Sequence, residues 1–468
     1  MAELILAGAE IFFFFFLMVY ASYLFLSVTA GAWQLYQVNR MRSIKNELKH
    51  DFYFPVSILV PAHNEEVTIL DSVESLLRLD YRLYEIVVVD DGSKDATSRV
   101  LIEHFHMQEI SRPVCRTLPG MPIEAIYEAK DTRVPLTLVR KQNGGKGDAL
   151  NVGINVSRYP WFICIDADSM LQRDSLERIV QPALEDDHVV AVGGLVRIAQ
   201  CMKREGGALS YHLKWDLLTG MQMMEYDRSF LASRILLDSV NGNLIISGAF
   251  GLFRKDVVIA AGGYASDTLG EDMELVMKLH AFCRSQKRGY VIRYEPGAVC
   301  WSQAPTTWRD LMKQRRRWHL GLLQCLTRYR FMCLSPDYGL VGTLSYLYYF
   351  FFELFSPVIE SAGMAVTVMA GVVGLLDVSF MVRFYLLFVL YGAILTMTAF
   401  FQRIYTQHLK VSGSDILQCC VMCITESLFF RFVLDFIRLS SMLTYRKQKN
   451  NWGEIRRVRQ RQERQFSS

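Results

Sequence analysis

Four nearly uncharged stretches constrain this chain more than any other feature. Residues 5–32 carry one charge, Glu10; residues 340–376 carry only Glu353 and Glu360; residues 384–401 carry none; and residues 416–430 carry only Glu426. A helix crossing a bilayer needs about 20 apolar residues. Hydrocarbon tolerates only chain segments whose backbone groups are paired internally. Residues 50–310, by contrast, have the mixed composition of a globular domain. The expected architecture is a soluble domain inserted between membrane-spanning helices.

The first stretch ends in Ala30-Gly31-Ala32, which could pass for a signal-peptide cleavage site. No Lys or Arg precedes it, however, and it outruns the 7–15 apolar residues of a signal peptide, so residues 1–36 are read as a retained anchor. Arg40, Arg42, Lys45 and Lys49 follow closely, which places residue 50 onward in the cytoplasm. The tail, residues 444–468, carries Arg446, Lys447, Lys449, Arg456, Arg457, Arg459, Arg461 and Arg464, and is expected on the same side. Both ends of the 338–443 region being cytoplasmic demands an even number of crossings. Splitting residues 340–376 near Ser356-Pro357 gives four there and five in all. A re-entrant or interfacial helix is the alternative.

The net charge of +4 is modest, and the basic residues flank membrane segments. Anionic headgroups of the lipid bilayer account for them, and no nucleic acid is required. The ten cysteines show no paired metal spacing, and Cys420-x-x-Cys423 lies inside an apolar stretch. Reduced thiols are expected.

Within the soluble region, short apolar runs ending in polar turns alternate with helical patterns. "VSILVP" (56–61), "EIVVVD" (85–90), "PLTLVR" (135–140), "WFICID" (161–166) and "HVVAVGGLV" read as strands. Helices are predicted over about 65–78 and 95–107 and after "NGGKG". Such alternation means βαβ units and a mainly parallel sheet, with ligands bound beyond the carboxyl ends of the strands. Three of those ends are polar: His63-Asn64-Glu65, Asp90-Asp91 and Asp166-Ala-Asp168. Residues 111–134, with three prolines, read as a surface excursion without an assigned role.

The Asp166-Ala-Asp168 pair is the most informative. Side chains at i and i+2 of an extended chain project to one side. Two carboxylates roughly 5–6 Å apart repel by about 3 kcal/mol at an effective dielectric of about 20. A lone aspartate after a strand is ordinarily a helix N-cap, as Asp174 is expected to be. A pair beside a second pair suggests a hard cation, since Mg²⁺ is usually held by one or two carboxylates and substrate phosphates. Phosphatases and kinases need the same arrangement. Lys146, at a glycine turn before a helix, can reach phosphate or simply be solvated. Glu271-Asp272 open a further helix. "WRDLMKQRRRWHLGLLQCL" (308–326) reads as an amphipathic interfacial helix, within interface helices expected over 306–336.

Taken in order, these motifs resemble membrane-integrated processive family-2 glycosyltransferases: the cellulose, hyaluronan, chitin and poly-N-acetylglucosamine synthases. The resemblance spans roughly residues 55–320. It implies an α/β GT-A glycosyltransferase domain, over 50–305, inserted between transmembrane α-helices and binding a nucleotide-sugar donor, expected to be a UDP-sugar. "PAHNEE" resembles the family's P-T-Y-N-E, which implies donor-binding roles for His63 and Glu65, although Ala62 and His63 replace Thr and Tyr. The resemblance further implies that Asp91, with Asp90 beside it, contacts the base and that Lys146 contacts the diphosphate. It makes Asp168 the ligand of Mg²⁺ or Mn²⁺, with Asp166 beside it on donor sugar and phosphate. Asp272, with Glu271, matches the T-E-D motif that carries the general base, although the threonine is Gly270 here. Gln314, Arg317 and Trp318 match Q-x-x-R-W, which holds the diphosphate and the terminal sugar of the growing glycan acceptor. "NNWGEIRR" (450–457) resembles the W-G-T-R gating loop, with Trp452 and Arg456 in the gating positions, although Glu454 stands where Thr is expected and the arginine comes one place late; the alternative is Trp452 as an interfacial anchor.

The function so implied is a metal-dependent, inverting polysaccharide synthase, multi-pass in the inner or plasma membrane with its catalytic domain cytoplasmic, making a β-linked glycan. A non-processive enzyme glycosylating a lipid is the alternative, since glucosylceramide synthases carry a comparable R-x-x-R-W. A catalytically idle subunit would be expected to have lost an acidic motif, yet Asp91, Asp166, Asp168 and Asp272 are all present. Arg431, Asp435 and Arg438 share a helix face, with Arg431 and Asp435 spaced to pair. They either line a glycan path or sit at the membrane interface.

Overall fold

The computed structural model describes residues 2–45, 53–205, 208–211, 216–407 and 413–443. Among the described residues the chain divides into two compact units: one within residues 53–199 and 244–303, the other within residues 2–45, 200–243 and 304–443.

The first unit is built on a sheet. Its strands are β1 (Val56–Ala62), β2 (Tyr84–Asp91), β3 (Gln108–Ile110), β4 (Ile123–Ala129), β5 (Leu136–Lys141), β6 (Trp161–Cys164), β7 (Met170–Leu171) and β8 (Val189–Ile198). A hairpin, β9 (Met202–Glu205) with β10 (Ala208–Tyr211), falls in the other unit. β11 (Gly251–Arg254) and β12 (Val291–Ser302) complete the sheet, in the order β3-β4-β5-β2-β1-β6-β11-β8-β12-β7. The central block β5-β2-β1-β6 is parallel throughout. Its strands are buried along almost their whole length, which is why they read as continuous apolar runs. Antiparallel β11 separates this block from the second parallel pair, β8 with β12.

One core joins the strands to their helices. Leu59, Val87, Val139 and Phe162 meet Leu150 and Ile154 of the helix Lys146–Val156, and Leu275 and Val276 of the helix Glu271–Ser285. Phe162 and Phe253 stack across β6 and β11 at 5.5 Å. Residues 111–134 are more than a surface excursion: they supply β4, which pairs antiparallel with β5 and extends the sheet edge. Asp174 does stand at a helix N-cap position, but its carboxylate makes no capping bond and pairs with Arg178 at 2.6 Å.

The second unit is helical. Three of its helices are long and apolar enough to cross a membrane among the described residues, at Ala7–Gln37, Ser356–Val373 and Met381–Gln402. The helices Gly413–Thr425 and Arg431–Leu443 are separated by a π-helical turn, Glu426–Phe430. Residues 200–243, which the sequence reading keeps inside the soluble domain, group with these helices. Ion pairs run through the unit: Arg228 meets both oxygens of Glu426 at 3.1 Å. Arg431 pairs with Glu360 at 2.6 Å, rather than with Asp435 as its spacing suggests. All ten cysteines are free thiols.

Candidate active site

The carboxyl ends of β1, β2, β5 and β6 carry most of the residues singled out from sequence. A glycine turn connects them. Asp91, the last residue of β2, accepts from the backbone N–H of Gly144 at 2.9 Å with one oxygen and from that of Gly145 at 2.7 Å with the other. The ammonium of Lys141, opposite it in the β2–β5 register, pairs with the same carboxylate. Lys141 is fully buried and also meets Asp148 at 2.7 Å. Asp148 in turn accepts from the N–H of Met121. A buried lysine between two aspartates thus fixes the turn, and Gly145 takes φ +89°, a conformation that a side chain would strain.

Around this turn, His63 Nδ1–H donates to the carbonyl of Asp91 at 2.9 Å, and the Asn143 amide donates to that carbonyl at 2.8 Å. Asp90 accepts from the N–H of Ser93 at 2.8 Å and from the Ser98 hydroxyl. Buried Glu65 accepts from the Thr68 hydroxyl at 2.7 Å, while its N–H donates to Thr97 at 2.9 Å. These contacts lace the loop after β1 to the loop after β2.

Immediately after the turn, Lys146 opens its helix and projects into a cluster of acids. Its ammonium lies 2.5 Å from Asp166, 3.4 Å from Glu271 and 3.4 Å from the carbonyl of Gly248. Burial alone would lower its pKa. The charges of Asp166 and Glu271, the hydrogen bond to Asp166 and the charge of Asp272 outweigh burial and hold it above the usual lysine range. Lys146 therefore compensates the charge of Asp166 together with those of Glu271 and Asp272. Asp168 follows on the same loop, only 5% exposed.

Asp272 is oriented by two backbone donors, Gly248 N–H at 3.1 Å and Met273 N–H at 2.8 Å. A Cβ on Gly248 would sit 2.9 Å from Lys146 Nζ, so a side chain there would push the flexible lysine tip aside. Gly270 holds the N-cap position of the Glu271–Ser285 helix, and its N–H meets the Thr268 hydroxyl at 3.3 Å. A threonine hydroxyl is thus present at this turn, two residues earlier than the motif suggests. Burial pushes the nearby Cys164 thiol up to about 11, which keeps it protonated and unsuited to nucleophilic attack.

Lys146, Asp166, Glu271 and Asp272 are thus brought together, and His63, Asp90 and Asp91 flank them through the turn. Gln314, Arg317 and Trp318 lie in the other compact unit, on the helix Trp308–Arg328. Gln314 is buried, Arg317 is half-buried and Trp318 is exposed. Trp452 and Arg456 lie outside the described residues. Sequence reasoning missed Lys141, Asn143 and Gly248. Asn143 and Gly248 stand in glycine-rich loops, which is a weak signal; Lys141 ends a strand as an ordinary basic residue would.

Comparison with known proteins completes the picture. The model of glycosyl transferase family group 2 matches residues 161–434, and that of glycosyl transferase family 2 matches residues 57–117. The poly-β-1,6-N-acetyl-D-glucosamine synthase of Staphylococcus aureus strain COL is 30% identical over 322 residues, covering 68% of this chain and 67% of the relative. The synthase of the same name from Staphylococcus epidermidis is 30% identical over 293 residues, covering 62% and 59%. The mannosyltransferase PcManGT from Pyrobaculum calidifontis, solved with GDP-Man and Mn²⁺, superposes with a TM-score of 0.53 at 19% identity, covering 89% of this chain and 99% of that one. This last likeness is one of fold. With its mixed, centrally parallel sheet, its membrane-length helices and these matches, the chain belongs to glycosyltransferase family 2, among enzymes resembling polysaccharide synthases.

Proposed function

We propose that this enzyme is a processive, inverting synthase that polymerises a β-linked glycan from a UDP-sugar at the cytoplasmic face of the membrane. The similarity to two poly-N-acetylglucosamine synthases favours UDP-N-acetylglucosamine as donor. The observation that carries the reading is the cluster of Lys146 with Asp166, Glu271 and Asp272 beyond the ends of the parallel strands. In this assignment His63, Glu65, Asp90 and Asp91 shape the base-binding end, and Lys146 takes the diphosphate.

The chemistry follows from the residue types. An acceptor hydroxyl attacks the anomeric carbon, its proton passes to Asp272, and the bond from that carbon to the diphosphate oxygen breaks. Charge developing on the diphosphate is met by Lys146, and by Arg317 in the role its motif implies. With Asp166 and Glu271 engaged by Lys146, Asp272 is left as the base and no carboxylate serves as nucleophile, so a single displacement inverts the anomeric centre. Asp166 and Asp168 offer hard oxygen ligands, and among the described residues no three His, Cys, Asp or Glu side chains form a complete cation cage. That donor set suits Mg²⁺ or Mn²⁺ completed by substrate phosphate oxygens. When bound, the ion would neutralise diphosphate charge.

Passage of the product is supported by ion pairs among the apolar helices, such as half-buried Arg228 with buried Glu426, which place polar groups between them. The test is synthesis by the purified chain in lipid vesicles. UDP-N-acetylglucosamine, UDP-glucose, UDP-glucuronate and UDP-galactose are supplied singly and in pairs with Mg²⁺ or Mn²⁺. A high-mass product ladder from UDP-N-acetylglucosamine alone is expected. UDP release with only a singly glycosylated lipid would overturn the polymerase assignment.

A further inference from the structure

Three helices of the helical unit converge on one carboxylate. Along Leu217–Arg228, residues Leu218, Met221 and Glu225 recur at i, i+3 and i+7 and so share a face. Leu311, Arg315 and Trp318, at i, i+4 and i+7, share a face of Trp308–Arg328, and Leu434 and Arg438 stand one turn apart on Arg431–Leu443. The apolar ends of these stripes, Leu218, Met221, Leu311 and Leu434, form a single cluster with Phe430 and Ile437. That packing sets the three helices in register and leaves Glu225 facing two guanidinium groups. Arg315 Nη2 lies 2.6 Å from one oxygen of Glu225, and Arg438 Nη2 lies 3.9 Å from the other.

Arg315 is almost fully buried, yet its guanidinium sits 4.5 Å from the ring centre of Trp318. The Tyr226 ring, next to Glu225, lies 6.3 Å from the same indole. Trp318 is still 40% exposed. An indole braced by a buried cation while much of its surface is left uncovered by protein is suited to stack against a flat, apolar sugar face. An unbraced surface tryptophan would have to lose rotamer freedom on each binding event.

We propose that Glu225, acting through Arg315, is a positioning residue that fixes the Trp318 indole as the platform for the terminal sugar of the acceptor; this rests on the acceptor role assigned to Trp318 above. The carboxylate holds Arg315 by charge and hydrogen bond, and Arg315 holds the ring by its planar face. Lysine cannot reproduce that face.

The test uses full-length protein in vesicles, with UDP-N-acetylglucosamine as donor and short β-linked N-acetylglucosamine oligomers as acceptors. Two activities are followed: transfer to the oligomer, and UDP release without acceptor. Glu225→Gln and Arg315→Lys are expected to raise the acceptor KM about tenfold, equivalent to about 1.4 kcal/mol, with donor KM and acceptor-free UDP release unchanged. A parallel fall of acceptor-free UDP release and transfer in both variants would show a merely structural contact and overturn the inference. Trp318→Ala separates the two levels. If Trp318→Ala raises the acceptor KM but the other two variants do not, the positioning role is wrong and the platform stands. If Trp318→Ala leaves the acceptor KM unchanged, the platform falls and the positioning role with it.

Discussion

Asp91 shows how one acidic residue can serve the site through its own chain. Its two oxygens receive the N–H groups of Gly144 and Gly145, and Lys141 neutralises it from below. The strand-end aspartate is legible in the sequence because a polar pair terminates an apolar run. Lys141 is not. It ends "PLTLVRK" as a solvated lysine would, and only the pairing of β5 with β2 sets it opposite Asp91; register is a long-range property that a local pattern does not contain. Removing the cation from this buried triad leaves two aspartates uncompensated, so Lys141→Met should cost about 3–5 kcal/mol of stability. Denaturant unfolding of the purified protein measures this, and a loss under about 1 kcal/mol would mean that the triad behaves as a solvated ion pair. Asp272→Asn tests a different property. It keeps the side chain's size and an oxygen for the Gly248 N–H but cannot take a proton. Glycosyl transfer should fall by at least about 100-fold while donor binding, read by calorimetry, is retained. Loss of donor binding would remove the base assignment.

Among the elements, the parallel block and the helix that begins at Lys146 are visible in the sequence, because each strand is a short apolar run closed by a polar turn. β11 and the grouping of residues 200–243 with the helices are not, because neither depends on local periodicity: one is a strand inserted between β6 and β8, the other an assignment between units. The loop before β11 nevertheless controls the site. Gly248 donates its N–H to Asp272, accepts from Lys146 through its carbonyl and leaves no room for a side chain beside the ammonium. In Gly248→Ala the added methyl must displace the lysine tip, since the tip is the flexible partner. The variant should fold with near-normal stability and lose up to about 100-fold in kcat, the scale expected for a misplacement of about 1 Å. Thermal unfolding alongside initial-rate kinetics separates the two effects. Unchanged kcat would mean that the position of Lys146 is not set by this loop.

At the scale of the whole molecule, the sorting of charge decides where each unit works. The apolar helices pair acids with bases, Arg228 with Glu426 and Arg431 with Glu360, whereas the sheet unit gathers acids beyond its strand ends, where Asp166 and Glu271 meet Lys146. The proposed function draws on a nucleotide-sugar held in the cytoplasm and so requires the sheet unit to face that side, as the basic residues after the first apolar stretch lead one to expect. The cysteines allow this to be tested. Cys115 is exposed, whereas Cys164, Cys283 and Cys300 of the same unit are buried. A membrane-impermeant maleimide should therefore label Cys115 in permeabilised cells and leave it unlabelled in intact ones. Cys115→Ser should remove that part of the signal and so identify it against Cys333 and Cys420, the partly exposed thiols of the helical unit. Labelling of Cys115 in intact cells would place the sheet unit outside, away from its donor, and would overturn both the orientation and the cytoplasmic synthesis that depends on it.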